Sequence, residues 1–302
     1  MSLRNTSPRF GRVITAMVTP FDAAGKVDFA AAERLASHLV DHGSDGIVVS
    51  GTTGESATLT KTEKVELFHL ISRAIGGRAS VIAGVGSYST QESIELAREA
   101  EKTGVDGFLV VAPYYNKPSQ EGIYQHFRAI ASAVDKPIVA YNVPGRTVTN
   151  IESSTAVRLS GLPNVVAIKE ASKNLEQISE IVRDAAPGFE LYSGDDGTTL
   201  PTLGVGGVGV VSVISHVNGL DIQRMFDAFE SGNRAEAIRL HGAGVALTRT
   251  LFSAPSPTPT KTALQMLGIL SCAGVRLPLV EATDAEREVI RTGLRNYGLL
   301  GD

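Results

Sequence analysis

Eight short apolar runs, rich in β-branched residues, alternate along the chain with segments whose apolar residues recur at helical spacing. They begin roughly 25–30 residues apart, and most are almost continuously apolar, as expected of parallel strands that are buried on both faces. The predicted strands are residues 13–19, 46–50, 80–84, 107–112, 137–141, 165–169, 190–193 and 208–213.

This alternation predicts an α/β protein, a (β/α)8 TIM barrel with a C-terminal helical extension, rather than an open doubly wound sheet. No strand pattern follows residue 232, and helical patterns cover residues 233–250, 258–267 and 285–296. The predicted parts are an N-terminal tail (1–12), a barrel (13–232) and a C-terminal helical region (233–302). In such barrels the reactive side chains lie at the C-terminal ends of the strands and in the following loops.

Charge and composition exclude several classes of partner. Lys and Arg number 28 against 32 Asp and Glu, without a basic block, so we expect no nucleic-acid partner. No apolar run approaches the ~18 residues of a membrane span, and the polar residues 1–12 do not form a secretory signal. The single Cys272 excludes an intrachain disulfide and favours a reducing compartment. We therefore expect a cytoplasmic protein.

Two motifs that resemble cofactor sites are poorly placed for that role. Residues 204–209 match G-x-G-x-x-G but precede a predicted strand, whereas dinucleotide binding needs this pattern between a strand and a helix. His38 and His42 would share a helix face, but no third metal ligand accompanies them. We expect no metal and no organic cofactor.

Lys169 ends the sixth predicted strand and is the strongest candidate for chemistry. Strand alternation places Val165, Ala167 and Lys169 on one face, and lysine is rarely buried without a reason. If this face points into the barrel, desolvation favours a neutral amine that can form a Schiff base with a carbonyl substrate. The alternative is a strand-end lysine that reaches solvent or pairs with Glu170.

Other strand ends carry polar groups that suit the same site. Thr52 and Thr53 stand between glycines after the second strand and can offer hydroxyl and backbone donors to a carboxylate. Tyr141 ends the fifth strand as a candidate acid or base, and Arg146 follows it as a carboxylate-binding fork. Tyr115 follows the fourth strand. The alternatives are ordinary turns and packing residues.

Together these motifs identify a family. The sequence resembles, nearly end to end, the dihydrodipicolinate synthase branch of the N-acetylneuraminate lyase family of class I aldolases. The motifs that carry the resemblance are GTTGES at 51–56, PYYNKPSQEG at 113–122, YNVPGRT at 141–147, IKEAS at 168–172 and SGDD at 193–196.

The resemblance implies a role for each matching residue. Lys169 corresponds to the lysine that forms a Schiff base with pyruvate, and Tyr141 to the tyrosine that relays protons. Thr52 and Tyr115 correspond to its partners in a hydroxyl relay, in which the second tyrosine comes from a neighbouring subunit. Thr53 corresponds to the residue that holds the pyruvate carboxylate.

Further matches imply the second substrate and the assembly. Arg146 resembles the arginine that binds the carboxylate of L-aspartate-4-semialdehyde. Gly194 and Val211 match backbone positions near the bound pyruvate. The implied protein is a synthase of the diaminopimelate and lysine pathway, a homo-oligomer arranged as a dimer of dimers, with no cofactor beyond the pyruvate imine on Lys169.

One group of residues departs from the pattern of relatives that lysine inhibits. Lys61 and Lys64 stand where those enzymes carry histidines, and Tyr88 stands in place of an Asn, while Glu92 and Tyr114 remain. Fixed positive charges near a cationic effector disfavour its binding. We therefore expect weak or absent inhibition by L-lysine.

Two other functions stay open at this point. An N-acetylneuraminate lyase or a keto-deoxy sugar-acid aldolase would use the same Lys169 chemistry on a polyol. A non-catalytic barrel that serves as a binding protein is the alternative from another class. That alternative expects the loss of Lys169, Tyr141 or Thr52, and all three are present.

Overall fold

Eight parallel strands close into a barrel in the computed structural model, which describes residues 8–301. Each strand pairs with its neighbour in chain order, and the first pairs with the last. The strands are β1 (Val13–Ala16), β2 (Gly46–Val49), β3 (Ser80–Gly84), β4 (Gly107–Val111), β5 (Ile138–Asn142), β6 (Val165–Glu170), β7 (Glu190–Ser193) and β8 (Gly209–Ser212). The predicted (β/α)8 fold is confirmed.

Helices follow every strand and continue beyond β8. They are α1 (Phe29–Asp41), α2 (Lys61–Ile75), α3 (Thr90–Glu101), α4 (Gln120–Ala131), α5 (Pro144–Thr147), α6 (Ser153–Ser160), α7 (Leu175–Asp184), α8 (Thr199–Gly204), α9 (Ser215–Glu230), α10 (Arg234–Leu251), α11 (Thr258–Met266) and α12 (Asp284–Tyr297). Within residues 8–301, no helix has both the length and the apolar character needed to cross a membrane.

Local sequence explains where helices begin. At α2, the Thr60 side chain accepts from the Glu63 amide while the Glu63 side chain accepts from the Thr60 amide, which makes a capping box. Thr283 and Glu286 repeat this arrangement at α12. Each cap satisfies backbone donors that the first turn would otherwise leave unpaired.

The barrel strands are largely apolar because both of their faces are buried. One apolar layer lies between the strands and the surrounding helices, and a second fills the lumen. The lumen includes Ile14, Val48, Ile82, Leu109, Val139, Ala167, Tyr192 and Val211. A third cluster joins the outer faces of β1 and β8 to α9, α10 and α12, which attaches the C-terminal region to the barrel.

The described part of the predicted tail closes the base of the barrel. Phe10 is 2% exposed and packs among the lumen residues; a Cβ on Gly107 would lie 2.8 Å from its ring. The Arg9 amide donates to Glu190, and the Arg12 amide donates to Asp45. Residues 8–12 are therefore part of the barrel, while residues 1–7 lie outside the described part of the chain.

One predicted side-chain alternation is wrong. The pairing of β5 with β6 shifts register, because Ile138 pairs with Val165 whereas Val139 pairs with Ala167. Val165 consequently packs in the outer layer, and Ala167 packs in the lumen. A bulge inserts one residue and reverses the side-chain direction, so only Ala167 and Lys169 share the inner face as predicted.

Candidate active site

Lys169 lies at the top of the lumen, where its side chain is buried beside Tyr141. The residue is 5% exposed, and its Nζ lies 4.1 Å from the centroid of the Tyr141 ring. Burial lowers the pKa of Lys169 to about 7, while the charge of Asp196 opposes this shift and that of Arg146 adds to it. A substantial fraction of the amine is therefore neutral and nucleophilic near neutral pH.

Glu170 does not pair with Lys169, because the two side chains leave opposite faces of β6. The Asn142 side-chain amide donates to both Glu170 carboxylate oxygens, at 3.1 and 3.0 Å, and Gln177 donates to one of them at 3.0 Å. The alternative that Lys169 is a strand-end lysine paired with its neighbour is thus not supported. The Asn142–Glu170 contact instead joins β5 to β6 immediately behind Tyr141 and Lys169.

Tyr141 pairs with Lys169 in the barrel register and is 5% exposed. Burial raises the pKa of Tyr141 to about 12, whereas the charge of Arg146 and a hydrogen bond with Thr52 act in the opposite direction. The phenol therefore stays protonated at neutral pH. It can donate a proton to a group that forms beside Lys169.

The loop after β2 presents Thr52 and Thr53 at the same end of the barrel. Thr53 is buried at 7% exposure, while Thr52 is exposed and lines the groove above the lumen. The loop is fixed from both sides, because the Glu55 amide donates to the Thr52 carbonyl at 3.0 Å and the Thr19 hydroxyl donates to the Gly54 carbonyl at 2.7 Å. These contacts give the two threonines a defined position.

A groove of about 590 Å³ opens above these residues. Its inner end contains Thr52 and Tyr141, and Arg146 in α5 also lines it with an exposed side chain. Its outer part contains the five residues that were compared above with those of lysine-inhibited relatives: Lys61, Lys64, Tyr88, Glu92 and Tyr114. The groove therefore joins reactive groups at one end to a charged region at the other.

Gly194 lies beside Lys169, and Val211 lies in the lumen; neither residue lines the groove. A Cβ on Gly194 would lie 3.0 Å from Cγ of Lys169, so a glycine leaves room for the lysine side chain. Val211 is 2% exposed, belongs to the lumen cluster and pairs with Ile14 of β1.

Tyr115 does not line the groove. Its side chain is 90% exposed, and its φ of 70° is in the left-handed region that non-glycine residues rarely adopt. The structure thus brings Lys169, Tyr141, Thr52 and Arg146 together and leaves Tyr115 apart from them.

Asp196, in the SGDD motif, is a buried acidic residue for which the sequence predicted no role. It accepts hydrogen bonds from the Ser212 hydroxyl at 2.5 Å, the Val213 amide at 2.9 Å and the Ile214 amide at 3.2 Å. Its charge also opposes the lowered pKa of Lys169. The signal in the sequence was an acidic pair directly after β7, at the reactive end of the barrel.

A buried lysine of lowered pKa, beside a protonated tyrosine at the reactive end of a (β/α)8 barrel, defines a lyase of the class I aldolase type. Residues 9–296 match the model of the Dihydrodipicolinate synthetase family. The chain belongs to this family. The predictions of family and of enzymatic class are confirmed.

Close relatives agree with this assignment. A protein of Heliobacterium modesticaldum named 4-hydroxy-tetrahydrodipicolinate synthase is 56% identical over 290 residues, which cover 96% of each chain. The dihydrodipicolinate synthase of Bacillus anthracis has a similar crystal structure, with a TM-score of 0.94, 50% identity, and coverage of 95% of this chain and 98% of the other. A lysine-bound structure from Cyanidioschyzon merolae gives a TM-score of 0.95 at 50% identity, covering 97% and 100%.

Proposed function

We propose that this protein is a 4-hydroxy-tetrahydrodipicolinate synthase, which condenses pyruvate with L-aspartate-4-semialdehyde in diaminopimelate and lysine biosynthesis. The observation that carries this proposal is the burial of Lys169 against Tyr141, with a lysine pKa of about 7. The names of relatives at about 50% identity support it. No metal and no organic cofactor enter the proposed reaction.

In the first half-reaction, the neutral amine of Lys169 attacks the ketone carbon of pyruvate. The phenol of Tyr141 donates a proton to the resulting hydroxyl group, which leaves as water when the imine forms. Thr52 contacts Tyr141 and returns a proton along the hydroxyl relay. Thr53 holds the pyruvate carboxylate, and Gly194 and Val211 bound the space around it.

In the second half-reaction, the protonated imine acidifies the methyl group of pyruvate, which loses a proton and becomes an enamine. The enamine carbon attacks the aldehyde of the second substrate, whose carboxylate binds Arg146 through charge-assisted hydrogen bonds. The amine of that substrate then adds to the imine carbon and displaces Lys169. The product is a hydroxylated heterocycle, and the lysine returns to its amine form.

The proposed assembly is a homo-oligomer, a dimer of dimers, in the cytoplasm. Tyr115 supports this proposal because its hydroxyl is outside its own groove and its exposed side chain is free to reach a neighbouring molecule. A two-fold interface would let each subunit lend its Tyr115 to the other. Sedimentation that shows a fully active monomer would contradict this part of the proposal.

Borohydride trapping tests the central step. Reduction in the presence of pyruvate should attach one reduced pyruvyl group per chain, on the peptide that contains Lys169. The control is Lys173→Ala, which removes an exposed lysine four residues away that pairs with Asp195 at 2.9 Å. Label should persist in this control and vanish in Lys169→Ala. Equal labelling of both variants, or none in the unsubstituted protein, would contradict the proposal.

A sugar-acid aldolase would also be trapped with pyruvate, so the second substrate must be tested separately. Pyruvate and L-aspartate-4-semialdehyde, coupled to a reductase that consumes the heterocycle, should give turnover. With N-acetylmannosamine in place of the semialdehyde, pyruvate itself should not be consumed, whereas a sugar-acid aldolase would consume it. Arg146 in the groove and the names of the relatives favour the semialdehyde, and the intact Lys169 site disfavours a non-catalytic barrel.

A further inference from the structure

A buried ion pair connects the C-terminal helical region to the loop that carries Thr52 and Thr53. Nζ of Lys261, in α11, lies 2.6 Å from Oε1 of Glu55, and the two side chains are 0% and 1% exposed. The partners are 206 positions apart in the sequence. Neither residue has a role in the reaction described above.

Both members of the ion pair make further contacts with neighbouring residues. Lys261 also donates to the Gly274 carbonyl at 2.7 Å, and its Nζ lies 3.9 Å from the centroid of the Phe21 ring. The second oxygen of Glu55 accepts from the Arg276 amide at 2.9 Å. Two charges withdrawn from water in this way depend on each other, because either one alone would be left uncompensated.

The backbone of Glu55 explains why this contact matters for the loop. Its φ of 55° is in the left-handed region, which is costly for a residue other than glycine and needs support from its surroundings. Its amide holds the Thr52 carbonyl, and its carbonyl accepts from the Thr58 hydroxyl at 3.1 Å. The side chain of Glu55 thus holds the loop that carries Thr52 and Thr53.

A second contact fixes the same segment to the C-terminal region. The Arg276 guanidinium binds both carboxylate oxygens of Glu63, at 2.6 and 2.9 Å, and the Thr58 carbonyl at 2.9 Å. Thr58 precedes α2, and Glu63 lies in the first turn of that helix. The stretch from Thr52 to Glu63 is therefore held at several points by Lys261 in α11 and by Arg276, which follows α11.

We propose that Glu55 and Lys261 are positioning residues for pyruvate recognition. The ion pair holds the loop so that Thr52 and Thr53 face the lumen, which makes the C-terminal region a component of the active site. This inference rests on the proposed function, in which these threonines serve pyruvate. It implies that recognition of pyruvate depends on the pair and that recognition of the aldehyde, at Arg146, does not.

The variant that tests this is Glu55→Gln/Lys261→Met, which removes both charges and keeps side chains of similar size. Removing both charges together avoids an unpaired buried charge. The control is Ile290→Ala, which opens a cavity in the same C-terminal region but packs in the cluster of α9, α10 and α12. Ile290→Ala should melt below the unsubstituted enzyme, so it shows whether a loss of stability by itself changes substrate recognition.

We expect the double variant to raise the KM for pyruvate about tenfold or more, since small displacements of a binding group have large effects. Trapping at sub-saturating pyruvate should slow by the same factor, while the KM for L-aspartate-4-semialdehyde stays within about twofold. Ile290→Ala should change neither KM beyond about twofold. An unchanged KM for pyruvate, or an equal rise in both KM values, would overturn the inference.

Glu55→Asp provides a second test should the double variant not fold. It keeps the charge but shortens the side chain by one methylene group, so the KM for pyruvate should again rise while that for the aldehyde does not. A KM for pyruvate equal to that of the unsubstituted enzyme would overturn the inference but leave the proposed function standing. Absence of pyruvate trapping in the unsubstituted enzyme would overturn the proposed function together with the inference.

Discussion

Lys169 and Lys261 are both buried and both face an aromatic ring, yet their surroundings differ in one respect. Lys261 has a carboxylate partner at 2.6 Å, whereas no described residue places a carboxylate within 4.0 Å of Lys169. Burial lowers the pKa of both lysines, and at Lys261 the charge and the hydrogen bond of Glu55 oppose this shift. The comparison teaches that burial alone does not make a lysine reactive; the absence of a close anion keeps its amine available.

Removing the amine of Lys169 should have the largest effect on activity. Lys169→Met should lower kcat by about a thousandfold or more, because the covalent intermediate can no longer form. Its stability should equal or exceed that of the unsubstituted protein, since a desolvated amine is replaced by an apolar side chain. Coupled assays and thermal melting check both parts. Substantial turnover by Lys169→Met would contradict the conclusion that Lys169 is the reactive lysine.

Lys261→Met should show the opposite pattern. Loss of one partner leaves Glu55 buried and uncompensated, which should cost about 3–5 kcal/mol of unfolding free energy. Denaturant titration measures this loss. At saturating pyruvate, borohydride should still label Lys169 in the folded fraction. If the two lysine variants lost equal stability, the distinction between the paired and the unpaired lysine would fail.

Arg146→Ala tests whether the two half-reactions depend on different residues. Loss of its charge-assisted contact should cost the aldehyde half-reaction ~1.5–3 kcal/mol, or about tenfold to a hundredfold in kcat/KM for the semialdehyde. Adduct formation with pyruvate should change much less, because Arg146 only adds to the pKa shift of Lys169 through its charge. Equal losses in trapping and turnover would show that Arg146 is structural.

The pH dependence of imine formation tests the lowered pKa directly. Because the neutral amine is the nucleophile, the trapping rate should rise with pH through about 7 and level off above about 8. Tyr141, with a pKa of about 12, keeps its proton over this range, so no decline should accompany the rise. Rapid-quench measurements from pH 5.5 to 9 provide the curve. A midpoint near the usual lysine pKa would contradict the assigned environment.

The smallest expected effect concerns L-lysine as an inhibitor. Lys61 and Lys64 line the outer groove with Glu92, and burial lowers the pKa of Lys64 while Glu92 opposes the shift. Their charges disfavour the ammonium group of a lysine effector, whereas the carboxylate of the effector would be attracted. We expect little inhibition in the coupled assay. Half-inhibition at sub-millimolar L-lysine would show that the charge argument is wrong.

Periodicity predicted the barrel and the end of it that carries chemistry, because strand order and strand ends follow from local patterns. Lys169 and Tyr141 were found in this way, and the contact between their strands is as expected. The bulge beside Val165 was not predictable, since alternation assumes a regular strand. The Glu55–Lys261 pair was not predictable either, because its partners meet only in the folded chain.

The closed base of the barrel determines where substrates enter and where water leaves. Lys169 lies at the top of the lumen and Phe10 fills the base, so in the proposed reaction the water expelled during imine formation leaves at the end where pyruvate enters. In the proposed reaction the semialdehyde then takes up the space nearer the mouth. The depth of each binding position in a chamber that is closed at one end would thus set the order in which the two substrates bind.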